Sequence, residues 1–261
     1  MQQSNSSYNQ DLLRQLVTLA AIISAFVVNV VSNIFPLNGL NIGEISNTLF
    51  KNVQIIPANY AFAIWGLIYL GLFALGTYQV LPNQRHDSDL RKIGYSLVIA
   101  CFAQSIWVYL FLSRLFSLSV VAMLGILLPL ISIYVKLGIG TNPVSRIKKW
   151  CVTIPISIYL AWISVATIVN VACALYFVGW NGWGISAQVW TVIMLLVAAA
   201  LATLIAVQRQ DIAYPGVTVW ALVAVAMKQW DNPTLRIVSL VCAAFIVLIV
   251  IKRSRTQFLN G

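Results

Sequence analysis

Eight apolar stretches dominate this chain, each close to the roughly 17 to 25 residues needed to cross a hydrocarbon layer about 30 Å thick. They run approximately over residues 13–35, 60–80, 94–112, 118–136, 151–177, 187–207, 213–227 and 235–251. Each is continuously apolar rather than alternating, so helices, not barrel strands, are the expected elements. The expected fold is therefore all-α, a polytopic membrane helix bundle of about eight transmembrane helices. Composition agrees: 61% of residues are apolar and 8% charged, with a mean hydropathy of +0.89. The connections are short, the longest being residues 36–59, and leave no room for a separate catalytic domain.

Charge orients the chain. With both ends on one face, that face collects Arg14, Arg85, Arg91, Lys92, Lys136, Arg146, Lys148, Lys149, Arg209, Lys252, Arg253 and Arg255. The other face holds Lys51, Arg114, Lys228 and Arg236. This asymmetry predicts cytoplasmic N- and C-termini. It also accounts for the net charge of +10 without any nucleic-acid partner, leaving membrane lipids as the partner of the basic face. Residues 1–12 are polar and poor in charge, which reads as a short disordered tail rather than a cleaved signal. Residues 253–261 form a short basic tail.

Water-soluble catalysis needs carboxylates, histidines or activated nucleophiles, and the apolar segments nearly lack them. The single histidine, His86, falls in the loop between the second and third segments and reads as solvated. Asp87 and Asp89 beside it read as counter-charges to Arg85, Arg91 and Lys92. Asp211 and Lys228 stand at opposite ends of the seventh segment, where interfacial contact explains them. Cys101, Cys151, Cys173 and Cys242 all fall in or beside apolar segments and read as packing residues. No catalytic residue, metal site or required cofactor is expected, and the chain reads as a non-enzyme.

The aromatics carry more information. Trp150, Trp180, Trp183, Trp190 and Trp230 sit at segment ends, as an interfacial belt would place them. Trp65, Trp107, Trp162 and Trp220 lie deeper. At about 1.5 Å rise per residue, Trp65 and Trp107 are roughly 8 Å, and Asn170 roughly 10 Å, below the outer ends of their helices. Spacing sets their facing: Trp65 and Tyr69 are four apart; Gln104, Trp107 and Phe111 share a face; so do Trp162, Ala166 and Asn170. An amide is costly against lipid, so the faces carrying Gln104 and Asn170 should look inward.

Three of these stations resemble the TspO/MBR family, the tryptophan-rich sensory proteins related to the translocator protein. Pro57 followed by Ile64-Trp65-Gly66-Leu67-Ile68-Tyr69 is similar to the entry of the family's second helix. Gln104-Ser105-Ile106-Trp107 resembles its third-helix motif, and Tyr159-Leu160-Ala161-Trp162 with Ala166 and Asn170 its fifth. The sequence departs from the pattern at Asn59, Ala63 and Gln104. The resemblance covers residues 13–177 and implies a TspO-like five-helix region, followed by three additional transmembrane helices over 178–252.

By that resemblance the chain is expected to bind a flat apolar ligand for sensing, sequestration or transport. A tetrapyrrole, porphyrin or haem, is the leading class, and a sterol-like molecule the next. The ligand-binding residues it implies are Trp65, Tyr69, Gln104, Trp107, Trp162, Ala166 and Asn170. The expected location is a bacterial inner membrane, in a form compatible with a homodimer. Two other readings stand beside it. One is a small-metabolite secondary transporter hinged at Pro215-Gly216; the other is a structural subunit of a membrane complex.

Overall fold

Long apolar runs leave the backbone one way to satisfy its amides in lipid, which is to bond within each segment. The computed structural model describes the backbone of residues 2–260 and the side chains of residues 9–254, and it is helical through every one of those runs. The helices are α1 (Gln2–Ile34), α2 (Ile42–Thr48), α3 (Ile64–Val80), α4 (Ser88–Ile93), α5 (Ser96–Leu112) and α6 (Phe116–Lys136). There follow α7 (Arg146–Lys148), α8 (Ile154–Phe177), α9 (Ala187–Gln208), α10 (Ala213–Lys228) and α11 (Pro233–Asn260). No strand occurs among the described residues. A π-helical turn, Lys149–Thr153, joins α7 to α8, just ahead of Pro155, which has no N–H to give to an α-helical ladder.

Among the described residues, six helical segments are long and apolar enough to span a membrane. The two shorter apolar helices are α5, of 17 residues, and α10, of 16. They rise about 25 Å each, so flanking residues or local thinning must make up the remaining thickness. Outward side chains are apolar as well: Leu70 and Phe102 are both 68% exposed, a pattern suited to lipid and not to water.

The chain parts into two compact units, the first made of Met1–Asn41 and Trp65–Leu160, the second of Ile42–Ile64 and Ala161–Gly261. In the first, α5 packs along α1 and α6. Small residues set the close approaches. A Cβ on Gly71 of α3 would lie 2.9 Å from the Pro155 Cβ, and one on Gly125 of α6 would lie 3.3 Å from the Ala103 Cβ. In the second unit, α9, α10 and α11 pack pairwise.

One expectation about the ends of the first unit needs correction and another needs completing. Residues 2–12, read as a disordered tail, lengthen α1 instead. Asp11 shows the reason: it is buried, and the Arg91 guanidinium grips its carboxylate through Nε, 3.1 Å from both oxygens, and Nη2. Arg14 donates to the Leu90 carbonyl at 2.8 Å, so polar tail residues gain partners by staying helical. Asp87 and Asp89, read as counter-charges to Arg85, Arg91 and Lys92, are also held by the distant Lys148, with Nζ 2.8 Å from a carboxylate oxygen of each. Lys92 shares Asp89 at 2.8 Å.

Candidate functional site

Of the seven candidate residues, the first unit holds Trp65, Tyr69, Gln104 and Trp107. Gln104 is an amide in the middle of an apolar helix, and burial without partners would cost it several kcal/mol. It is 2% exposed and fully engaged. Its Nε2 donates to the Tyr69 hydroxyl at 2.9 Å, the Tyr69 hydroxyl donates to the Ala25 carbonyl at 3.1 Å, and the Tyr159 hydroxyl donates to Gln104 Oε1. One chain of donors thus ties α1, α3, α5 and α8 together. Trp65 packs beside it, its ring centroid 5.9 Å from Tyr69 and 6.2 Å from Tyr159. Trp65 is only half-buried. Trp107 is buried and stacks at 5.3 Å on Phe111, which meets Phe116 edge-on at 5.1 Å. Tyr69 and Gln104 are thus bonded to each other inside the unit, while Trp65 and Trp107 pack on aromatic neighbours.

Trp162, Ala166 and Asn170 belong to the second unit. They share one face of α8, as their spacing predicts. Trp162 and Asn170 are each 2% exposed, and the Trp162 ring meets Phe62 edge-on at 6.0 Å. Ala166 is half-buried. Trp220, read as a deep residue, is 40% exposed, and its indole N–H donates to the Ala61 carbonyl at 3.1 Å.

That last bond belongs to a set that fixes residues 42–64 against the helices of their own unit. Ala58 N donates to the Ala224 carbonyl at 3.0 Å, Gln229 Nε2 to the Gln54 carbonyl at 2.9 Å, and Lys228 Nζ to Asn47 Oδ1 at 3.1 Å. Asn52 Nδ2 reaches the Tyr176 hydroxyl at 3.1 Å, and Phe50 meets the Tyr176 ring edge-on. A segment that reads as a loop in sequence is bound into its unit by five hydrogen bonds and a ring contact.

Beneath Ile55 of this segment lies a narrow crevice with about 20 Å³ of enclosed space. Its walls are Val165, Ile168 and Val169 of α8, Met194, Leu195 and Ala198 of α9, and Ala221, Leu222 and Val225 of α10. Thr218 is its one polar residue, and the Thr218 hydroxyl proton is spent on the Tyr214 carbonyl at 3.2 Å. None of the seven sequence candidates lines it. Val165 and Val169 of the α8 wall each lie one residue before the Trp162-Ala166-Asn170 face, about 100° around the helix. No sequence signal marked these aliphatic residues, because lipid-facing positions look the same.

A family model described as TSPO-like protein matches residues 15–252. The chain belongs to the TSPO-like protein family. No curated protein and no solved structure matches it. The TSPO-like match takes in α9, α10 and most of α11, so the crevice and its three helices lie within the family region. Together with six helical segments among the described residues that are long and apolar enough to span a membrane, membership makes this TSPO-like chain a multi-pass membrane protein.

One further expectation changes. The Pro215-Gly216 pair, read as a hinge within the seventh helix, falls in the first turn of α10. There the missing N–H of proline costs nothing. Asp211 caps that turn, accepting from Ala213 N at 2.9 Å and Tyr214 N at 3.4 Å, and Gly216 N donates to Ile212 O at 3.1 Å. The helix starts at this place rather than breaking there.

Proposed function

We propose that this chain is a membrane-embedded binding protein that takes an uncharged, ring-built apolar ligand of the sterol-like class from the bilayer, for sensing, sequestration or transport. The observation that carries the reading is the aliphatic crevice beneath Ile55. Its enclosed volume is about 20 Å³, far below the roughly 300 to 1,000 Å³ of formed ligand pockets, so a ring system would enter by parting α8, α9 and α10. The wall favours surface burial over hydrogen bonding, and it offers neither a cation nor an unspent donor to a carboxylate. A porphyrin bearing propionates suits that wall less well than a sterol does. The reading is of binding without catalysis, in a bacterial inner membrane with both termini cytoplasmic.

A tetrapyrrole remains the second reading, and one observation favours it. Trp65 is half-buried, which leaves part of an indole face free beside the Tyr69 and Tyr159 rings, and stacking on such a face suits a flat macrocycle. The transporter reading loses its motive with the Pro215 hinge.

The deciding experiment is a titration of the purified protein with a fluorescent sterol, protoporphyrin IX and haem, in wild type, Ala198→Phe and Trp65→Ala. Filling the crevice through Ala198→Phe should weaken sterol binding by at least about tenfold, a loss of about 1.4 kcal/mol, and leave Trp65→Ala unaffected. Sterol affinity unchanged in Ala198→Phe would refute the crevice. Saturable porphyrin quenching lost in Trp65→Ala would transfer the function to the second reading.

A further inference from the structure

The connection leading into α8 carries four successive residues, Arg146-Ile147-Lys148-Lys149, followed by Trp150. They do not behave alike. Lys148 turns into the first unit and is held by Asp87 and Asp89, leaving its side chain 14% exposed. That double anchor fixes how this stretch is rotated about its axis. Its start is fixed too, since the Ser145 hydroxyl accepts from Lys148 N at 3.3 Å and Lys149 N donates to the Ser145 carbonyl at 2.9 Å.

With Lys148 pointing in, Arg146 and Lys149 are left exposed, three residues apart and so on one face. No carboxylate among the described residues forms an ion pair with either of them; Asp11, Asp87 and Asp89 are engaged with Arg91, Arg14, His86, Lys148 and Lys92. On the adjoining face stand Ile147, 65% exposed, and Trp150, 63% exposed. Two uncompensated cations thus flank two large exposed apolar side chains at the end of a membrane-spanning helix. In water this would be a poor surface.

We propose that residues 146–150 form a docking surface for the headgroup of an anionic phospholipid. Arg146 and Lys149 meet the phosphate and its added negative charge, while Ile147 and Trp150 lie against the upper acyl chain and the interface. Charge complementarity and depth select this occupant: a zwitterionic headgroup offers the two cations no net charge, and a free anion leaves Ile147 and Trp150 in water. The inward Lys148 is the positioning residue, since its ion pairs aim the other four.

The test is lipid retention by native mass spectrometry on the full-length, delipidated protein, titrated with phosphatidylglycerol, phosphatidylcholine or inorganic phosphate. Each basic residue near an anionic surface contributes about fivefold in affinity. Arg146→Gln with Lys149→Gln should therefore weaken phosphatidylglycerol binding about thirtyfold and leave phosphatidylcholine unchanged. Lys51→Gln should change neither. A second measurement needs no variant: in wild type, phosphatidylglycerol retention should fall steeply between 0.05 and 0.5 M NaCl, because such attraction is screened. Equal retention of the two lipids, a double variant that binds like wild type, or inorganic phosphate displacing the lipid at millimolar concentration would each overturn the proposal.

Discussion

Gln104 Nε2 lies 2.9 Å from the Tyr69 hydroxyl oxygen, so an amide on α5 and a phenol on α3 satisfy each other inside an apolar surround. Tyr159 completes the arrangement from α8. Removing one outer partner and removing the centre should differ. Tyr159→Phe loses one bond and is expected to cost about 0.6 to 1.5 kcal/mol. Gln104→Ala loses two bonds and opens a cavity, and should cost about 2 to 4 kcal/mol. Reversible unfolding in mixed detergent micelles measures both.

Two glycines on α3 predict opposite outcomes. Gly71→Ala places a Cβ 2.9 Å from the Pro155 Cβ, a ring atom that cannot swing aside, and should destabilise by about 1 to 3 kcal/mol. Gly66 has nothing within 4 Å of the same atom. Gly66→Ala should stabilise by about 0.5 to 1 kcal/mol, because alanine is the better helix former. Melting temperatures of the two variants should therefore move in opposite directions from wild type.

Asp211 distinguishes a cap from a proton carrier. As a cap, its carboxylate accepts from the first amides of α10. Asp211→Asn, which still accepts, should be nearly neutral. Asp211→Ala should lower stability by about 0.5 to 2 kcal/mol. Thermal melting in detergent reads both, and an asparagine variant as unstable as the alanine variant would remove the capping role.

Acid should loosen the α4 corner. For Asp89, bonds from Lys148 and Lys92 hold the carboxyl below the ordinary 3.8. For Asp87, burial pushes the carboxyl up, and Lys148 with the Leu90 and Asp89 amides more than offsets it, again to below 3.8. A carboxyl depressed in the folded state contributes fully above its unfolded value and loses that contribution as pH falls through the folded one. Melting temperature should be insensitive to these two acids between about pH 7 and 5 and should fall below about pH 4. Lys148→Gln should flatten that acid limb.

The helices were legible because apolar length is a local property: α3, α6 and α9 can be read from their own residues alone. Gln104 was legible in part, since an amide in such a helix demands a partner. The identity of Tyr69 and Tyr159 as those partners needed the fold, which brings residues 35 and 55 positions away to it. Lys148 and its acids, about 60 residues apart, carry no local pattern at all. The crevice was invisible for a different reason. Val165, Ile168 and Val169 are aliphatic whether they face lipid, a neighbour or a void, and only packing tells these apart.

The bonds that fix residues 42–64 have a consequence in time. Ala58 waits for Ala224, and Gln54 for Gln229, a residue 175 positions later in the chain. At roughly 5 to 20 residues per second of synthesis, the early segment stays unclosed for about 9 to 35 seconds while six further apolar helices are made. During that interval the Ala58 amide and the Gln54 carbonyl lack their native partners. Membrane insertion of the late helices is thus the step that finishes a structure begun near the start of translation.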